Sequence, residues 1–127
     1  MPGLHHVSVG VRDLARARAF YDPLIALVGL RLLGADAVSV DYGADAICFS
    51  LETPVDGAPA APGNGVHIAF EAPDRAAVRA FYEEALRRGG RDAGPPGLRP
   101  QYTPHYYGAF VLDLDGNKIE AMTERPE

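Results

Sequence analysis

Apolar and polar positions follow two rhythms along the chain, and the same succession of rhythms occurs twice. Residues 6–11 (HVSVGV) and 66–70 (VHIAF) are short, contain Val and Ile and partly alternate, which is the period of a strand. Three- and four-residue spacing follows each of them. Leu14, Ala17, Phe20, Tyr21, Leu24 and Val28 form the first apolar stripe, and Ala77, Val78, Phe81, Tyr82 and Leu86 the second, so two amphipathic helices are predicted. Asp13 and Asp74 stand where an N-cap accepts orphan backbone N–H groups, and Pro73 closes the strand before the second cap. Gly29 and the Gly89-Gly90 pair mark the C-terminal ends, while Pro23 is expected to kink or shorten the first helix. Strand-like patterns then return at 30–33, 37–42 and 46–51, and at 109–114 and 118–122 around the tight-turn pair Asp115-Gly116. Residues 91–108 hold Gly and Pro at 94–97 and again Pro100 and Pro104, and read as mostly loop with a short strand at best.

The repetition extends to individual residues. At a constant offset of 61, His6 falls on His67, Asp13 on Asp74, Arg18-Ala19-Phe20-Tyr21 on Arg79-Ala80-Phe81-Tyr82, and Gly29 on Gly90. A period this long describes two supersecondary units rather than a solenoid. The expected architecture is α+β: one domain over 1–127, built of two tandem βαβββ modules at 1–53 and 66–127 with mostly antiparallel sheets. A Pro/Gly/Ala linker (PVDGAPAAPGNG) at 54–65 joins them.

Size and charge narrow the function classes. The 127 residues suit a single core, and 47% hydrophobic with 23% charged residues is an ordinary soluble composition. A formal net charge of −5, one lysine and dispersed arginines argue against nucleic-acid binding. No apolar span suits a membrane helix and no charged-then-apolar leader is visible. Cys48 is alone and permits no intrachain disulfide, so a cytoplasmic location is expected.

His6 and His67 lie within strand-like runs, where an imidazole is costly to bury unpaired. Taken singly, each is more commonly a core or edge histidine satisfied by a backbone carbonyl. The repeat changes that weighting, because the two occupy equivalent positions of equivalent units. Glu120, between Ile119 and Ala121 in the last strand, is a third donor equally ill suited to burial. Two imidazoles and one carboxylate with open positions form a facial triad suited to Fe(II), and such ligands also hold Mn(II) or Zn(II). His5 competes with His6, but neighbouring strand residues face opposite ways and the repeat selects His6.

With these residues in view, the chain resembles the vicinal oxygen chelate superfamily, the glyoxalase, bleomycin-resistance and extradiol dioxygenase group. The resemblance spans nearly the whole chain. It rests on LHHVSVGVRDLARARAFY at the start, GVHIAF opening the second unit and FVLDLDGNKIEAM at the end. It implies curved sheets forming a cleft around a divalent metal (Fe, Mn, Zn or Ni) that acts as a Lewis acid on adjacent substrate oxygens. It also carries the ligand positions over to His6, His67 and Glu120, and implies a homodimer. Glyoxalase I-like members hold a fourth ligand on the strand closing the first unit. Here, aligning the two closing strands sets Cys48 or Phe49 against Glu120, so a three-ligand, dioxygenase-like set is expected.

The stretch at 97–110 (GLRPQYTPHYYGAF) is the candidate for contact with a small-molecule substrate. Arg99, Tyr102 and Tyr106 are assigned to substrate binding, His105 to general acid or base work and Tyr107 to orienting an oxyanion. The competing reading has the tyrosines packed at a dimer surface and His105 solvated. Two functions are carried forward: a metal-dependent dioxygenase or lyase/isomerase, and a non-catalytic, ligand-sequestering protein of the antibiotic-resistance type.

Overall fold

The computed structural model describes residues 3–127. Each half of the chain folds as one βαβββ module. The first comprises β1 (Val7–Gly10), α1 (Leu14–Leu27), β2 (Arg31–Ala35), β3 (Ser39–Gly43) and β4 (Ile47–Glu52). The second comprises β5 (His67–Glu71), α2 (Arg75–Arg87), β6 (Arg91–Leu98), β7 (Tyr107–Leu112) and β8 (Lys118–Thr123). Strand order is β1-β4-β3-β2 in one sheet and β5-β8-β7-β6 in the other. The first strand of each module pairs parallel with the last, β1 with β4 and β5 with β8, and the remaining pairs are antiparallel. Both sheets stay open, with β1 and β5 at free edges.

Local chemistry sets the helix ends. Asp13 Oδ1 accepts from the Arg16 N–H at 3.0 Å, and Asp74 Oδ1 from the Ala77 N–H at 2.8 Å, each satisfying an orphan donor of the first turn. Gly29 (φ +81°) and Gly89 (φ +99°) follow the helices in the left-handed conformation that glycine adopts without a Cβ penalty. The counterpart of Gly29 is therefore Gly89 and not Gly90: α1 has 14 residues and α2 has 13, so the repeat loses one residue within the helix.

The shortening expected of Pro23 and the loop expected at 91–98 are corrected. The helix α1 runs through Pro23 to Leu27. Proline at this position removes the N–H that would bond the Ala19 carbonyl, but Arg88 Nη1 of the second module donates to that carbonyl at 3.3 Å. Residues 91–98, read as mostly loop, form the eight-residue strand β6. It is an edge strand, and Pro95-Pro96 fall between Gly94 and Gly97, where the pairing to β7 slips, so their missing N–H groups break no ladder bond.

One cluster of buried side chains runs through both modules. Aromatic contacts trace it from Tyr21 to Phe49 (5.3 Å between centroids), Phe49 to Phe70 (5.0 Å) and Phe70 to Phe81 (6.2 Å). A polar latch closes the junction. The buried Asp113, just after β7, accepts from the Tyr21 hydroxyl of α1 at 2.6 Å, from the Asp115 and Asn117 N–H groups, and from Asn117 Nδ2. Asn117 Nδ2 also reaches the Gly10 carbonyl at 3.0 Å, and Asp115 accepts from the Arg12 N–H. The Asp-x-Asp-Gly-Asn turn thus joins the end of β1 and the start of α1 to the β7–β8 hairpin.

Candidate metal centre

Strand alternation decides which side chains share a face. On β5 and β8, Ile68, Phe70, Ile119 and Ala121 join the core cluster, which turns His67, Lys118 and Glu120 to the opposite face. Phe110 on β7 lies directly across from Glu120, and Gly108 two residues earlier shares its face. Glu120 is only 1% exposed, yet no Lys or Arg pairs with it among the described residues. Its Oε1 lies 3.1 Å from His67 Nε2, and its Oε2 accepts from the Tyr106 hydroxyl at 2.5 Å. The His67 side chain is 45% exposed, so one side of this pair is buried and the other opens to solvent. Its ring meets Phe110 edge-on at 5.8 Å.

Gly108 makes room for the carboxylate. A Cβ there would stand 3.0 Å from Glu120 Oε2 and 3.3 Å from Tyr106 Cε1. Burial first, and then the Glu120 carboxylate, push the Tyr106 hydroxyl well above the ordinary tyrosine range. Tyr106 therefore stays a donor, and it engages one carboxylate oxygen while the other faces His67.

His6 lies just before β1 and is exposed; its Nδ1 is 2.8 Å from His5 Nδ1. His5, His6 and His67 line one open pocket of about 470 Å³ together with Cys48, Phe49 and Phe70. The chain thus brings His67 and Glu120 into contact and sets His6 on the wall of the same pocket. Among the described residues, no three His, Cys, Asp or Glu side chains converge as a metal-holding group.

The loop residues divide. Tyr106 joins Glu120, and the exposed Tyr102 packs edge-on against it at 5.0 Å. Arg99 lies over the Phe110 ring with its Cζ 5.5 Å from the centroid. His105 is exposed. Tyr107, adjacent to Tyr106, points to the other face, where Arg75 sits over its ring and Arg79 Nη1 approaches its hydroxyl at 3.4 Å. The oxyanion-orienting role expected of Tyr107 is not supported by a position beside the pair.

The ladders also revise the match between the modules. Ser8 pairs with Ser50 in the first sheet as Ala69 pairs with Glu120 in the second, so the counterpart of Glu120 is Ser50, not Cys48 or Phe49. Ser50 Oγ donates to Asp41 Oδ1 at 2.7 Å. No glutamate occupies the equivalent place in the first module. Sequence reasoning missed Phe110, Gly108 and Lys118; the one available signal was Lys118 standing two residues before Glu120, hence on its face.

A sequence model described as Glyoxalase/Bleomycin resistance protein/Dioxygenase superfamily matches residues 3–121. The chain is similar to the crystal structure of a glyoxalase/bleomycin resistance protein from Albidiferax ferrireducens T118, at 36% identity and a TM-score of 0.89. That match covers 94% of this chain and 98% of the other. A glyoxalase/bleomycin resistance protein/dioxygenase family enzyme from Burkholderia phytofirmans PsJN is 17% identical, with 98% and 100% covered and a TM-score of 0.75. The fosfomycin resistance protein FosX from Mesorhizobium loti is 22% identical, with 97% and 92% covered and a TM-score of 0.68. The last two likenesses show the fold alone. No curated protein matches the chain.

Proposed function

Because this chain belongs to the Glyoxalase/Bleomycin resistance protein/Dioxygenase superfamily, we propose that it is a small divalent-metal-dependent enzyme whose ion is held by His6, His67 and Glu120. The observation that carries the reading is the pairing of a 1%-exposed carboxylate with a half-exposed imidazole nitrogen 3.1 Å away. The donor set fits such an ion. Mixed imidazole and carboxylate donors suit Fe(II), Mn(II), Zn(II) or Ni(II), and the small Gly108 leaves Glu120 its space. When bound, the ion supplies Lewis acidity to adjacent oxygens of a substrate, in dioxygenase-like or lyase/isomerase-like chemistry.

The chain's own groups do the positioning. Tyr106 holds Oε2 and thereby aims Oε1 at the His67 nitrogen. Nε2 and Oε1 are the two atoms a cation would need, so metal binding would replace the direct contact between them. Tyr102 and Arg99 flank the solvent side as substrate contacts, and exposed His105 is the remaining candidate proton carrier. The lone thiol of Cys48 accords with a cytoplasmic setting, and no helix is long and apolar enough to cross a membrane among the described residues.

A homodimer is part of the proposal. The open edges of β1 and β5 present unpaired N–H and C=O rows on which a second chain would add its own strand. Light scattering on the eluting protein should give twice the chain mass; a strict monomer that still binds metal would remove the dimer from this reading.

Tyr106→Phe tests the positioning. It deletes one hydrogen bond and no ligand, and should weaken metal binding by roughly 10- to 100-fold, the scale of outer-shell support. Competition against a chromophoric chelator reads that change. Unaltered affinity in a folded variant would take Tyr106 out of the site.

A further inference from the structure

The face that carries His67 and Glu120 also carries two cations with no carboxylate of their own. Lys118 lies directly across the ladder from His67 and two residues before Glu120. Its Nζ is 5.0 Å from the centroid of Phe110, the ring that also receives Arg99 and the edge of His67. Phe110, which touches His67 and pairs across the ladder with Glu120, thus links two cations to that pair. Neither forms a salt bridge among the described residues, and the buried acid of this face, Glu120, is engaged with His67 and Tyr106.

The Arg99 guanidinium has a prepared bed. Its Nη2 donates to the Pro95 carbonyl at 2.8 Å and its Nη1 to the Leu98 carbonyl at 3.5 Å, while the Arg99 backbone N–H anchors the loop by donating to the Tyr106 carbonyl at 2.7 Å. It lies across the part of β6 where the side chains are missing. A Cβ on Gly94 would stand 2.9 Å from Phe110 Cδ1 and 3.4 Å from Arg99 Nη2, and one on Gly97 would stand 3.1 Å from Nη1. These two glycines leave the space the planar fork occupies, and the N–H groups of the fork not turned to the Pro95 and Leu98 carbonyls are the ones offered to an oxyanion.

Charge balance gives the ligand class. The protein carries a net charge of −5 and only one lysine, yet that lysine and an arginine both sit against the ring of Phe110 with no ion-pair partner among the described residues. We propose that Arg99 and Lys118, seated on Phe110, form a subsite for an anionic group, so that the substrate is a small molecule bearing a carboxylate or a phosphorus oxyanion in addition to its metal-facing oxygens. The inference rests on the metal-site reading for the second half of that description, and on Arg99, Lys118 and Phe110 alone for the first.

Benzoate and benzamide differ by the charge and little else, and serve as probes. Each is titrated into the protein as purified and again after chelation, following the backbone amide NMR shifts of Phe110, Lys118 and Arg99. Benzoate should bind about tenfold tighter than benzamide in both preparations, the scale of a charge-assisted contact. Arg99→Gln and Lys118→Gln should each shrink the preference severalfold, and the double variant should abolish it while its spectrum stays dispersed. Equal binding of the two probes, no saturable binding of benzoate, or a preference untouched in the double variant would overturn the subsite. So would a preference that disappears on chelation, since the carboxylate would then sit on the metal. A protein that holds no metal but keeps the preference retires the metal reading and leaves the anion subsite standing.

Discussion

Asp113→Ala is expected to destabilise the fold by about 3–5 kcal/mol, the largest stability effect anticipated for a single substitution here, because four donors lose a buried charged acceptor at once. Asp113 is 4% exposed and Tyr21 is 1% exposed, so water cannot replace the lost bonds cheaply. Burial, and then Asp113 itself, hold the Tyr21 hydroxyl well above the ordinary tyrosine range, which keeps it a donor. Hydrogen bonds to a charged group contribute about 1.5–3 kcal/mol each but are not additive within one network. Tyr21→Phe separates the parts: it removes one bond, leaves three donors on Asp113, and should cost about 1.5–3 kcal/mol. Urea midpoints of the two variants against the parent measure both. A loss below about 1 kcal/mol for Asp113→Ala would mean that the modules are held by the apolar core without the latch.

Glu120→Gln is expected to lower metal affinity by more than about 100-fold, beyond what outer-shell changes cause, because it removes a ligand's charge while keeping its shape. The amide still reaches Tyr106 and His67, so stability should stay within about 1 kcal/mol of the parent. Glu120→Ala should lose metal equally and also destabilise by about 1–3 kcal/mol, since the Tyr106 hydroxyl is left without its acceptor. His67→Ala should lose metal with little stability change, its side chain being 45% exposed. The contrast between affinity and stability across these three variants separates a ligand from a structural side chain. Chelator competition reads the first quantity and urea denaturation the second. Metal affinity maintained in Glu120→Gln would remove the carboxylate from the ligand set.

Local chemistry was the most legible part of the chain. Asp13 and Asp74 cap their helices as read, and the repeated strand-helix grammar reappears as two βαβββ modules with ends shifted by a residue or two. What escaped were features decided by distant partners. Pro23 reads as a residue that kinks or shortens its helix because the side chain that satisfies Ala19, that of Arg88, is 69 residues away. Pro95-Pro96 read as loop because nothing in their neighbourhood says that β6 would be an edge strand with a slip at that point. In the site, His67 and Glu120 were legible as polar residues in apolar strands. The choice between Tyr106 and Tyr107 was not, because adjacent strand residues face opposite ways and only the ladder to β8 fixes the phase. The same dependence hid Ser50 as the counterpart of Glu120.

The most direct measurement is the metal content, by mass spectrometry, of protein purified without chelator, with Glu120→Gln and His67→Ala prepared in parallel. The account predicts about one divalent ion per chain in the parent and little in either variant. A parent that stays empty after incubation with iron, manganese, zinc and nickel, or variants that retain as much metal as the parent, would contradict it.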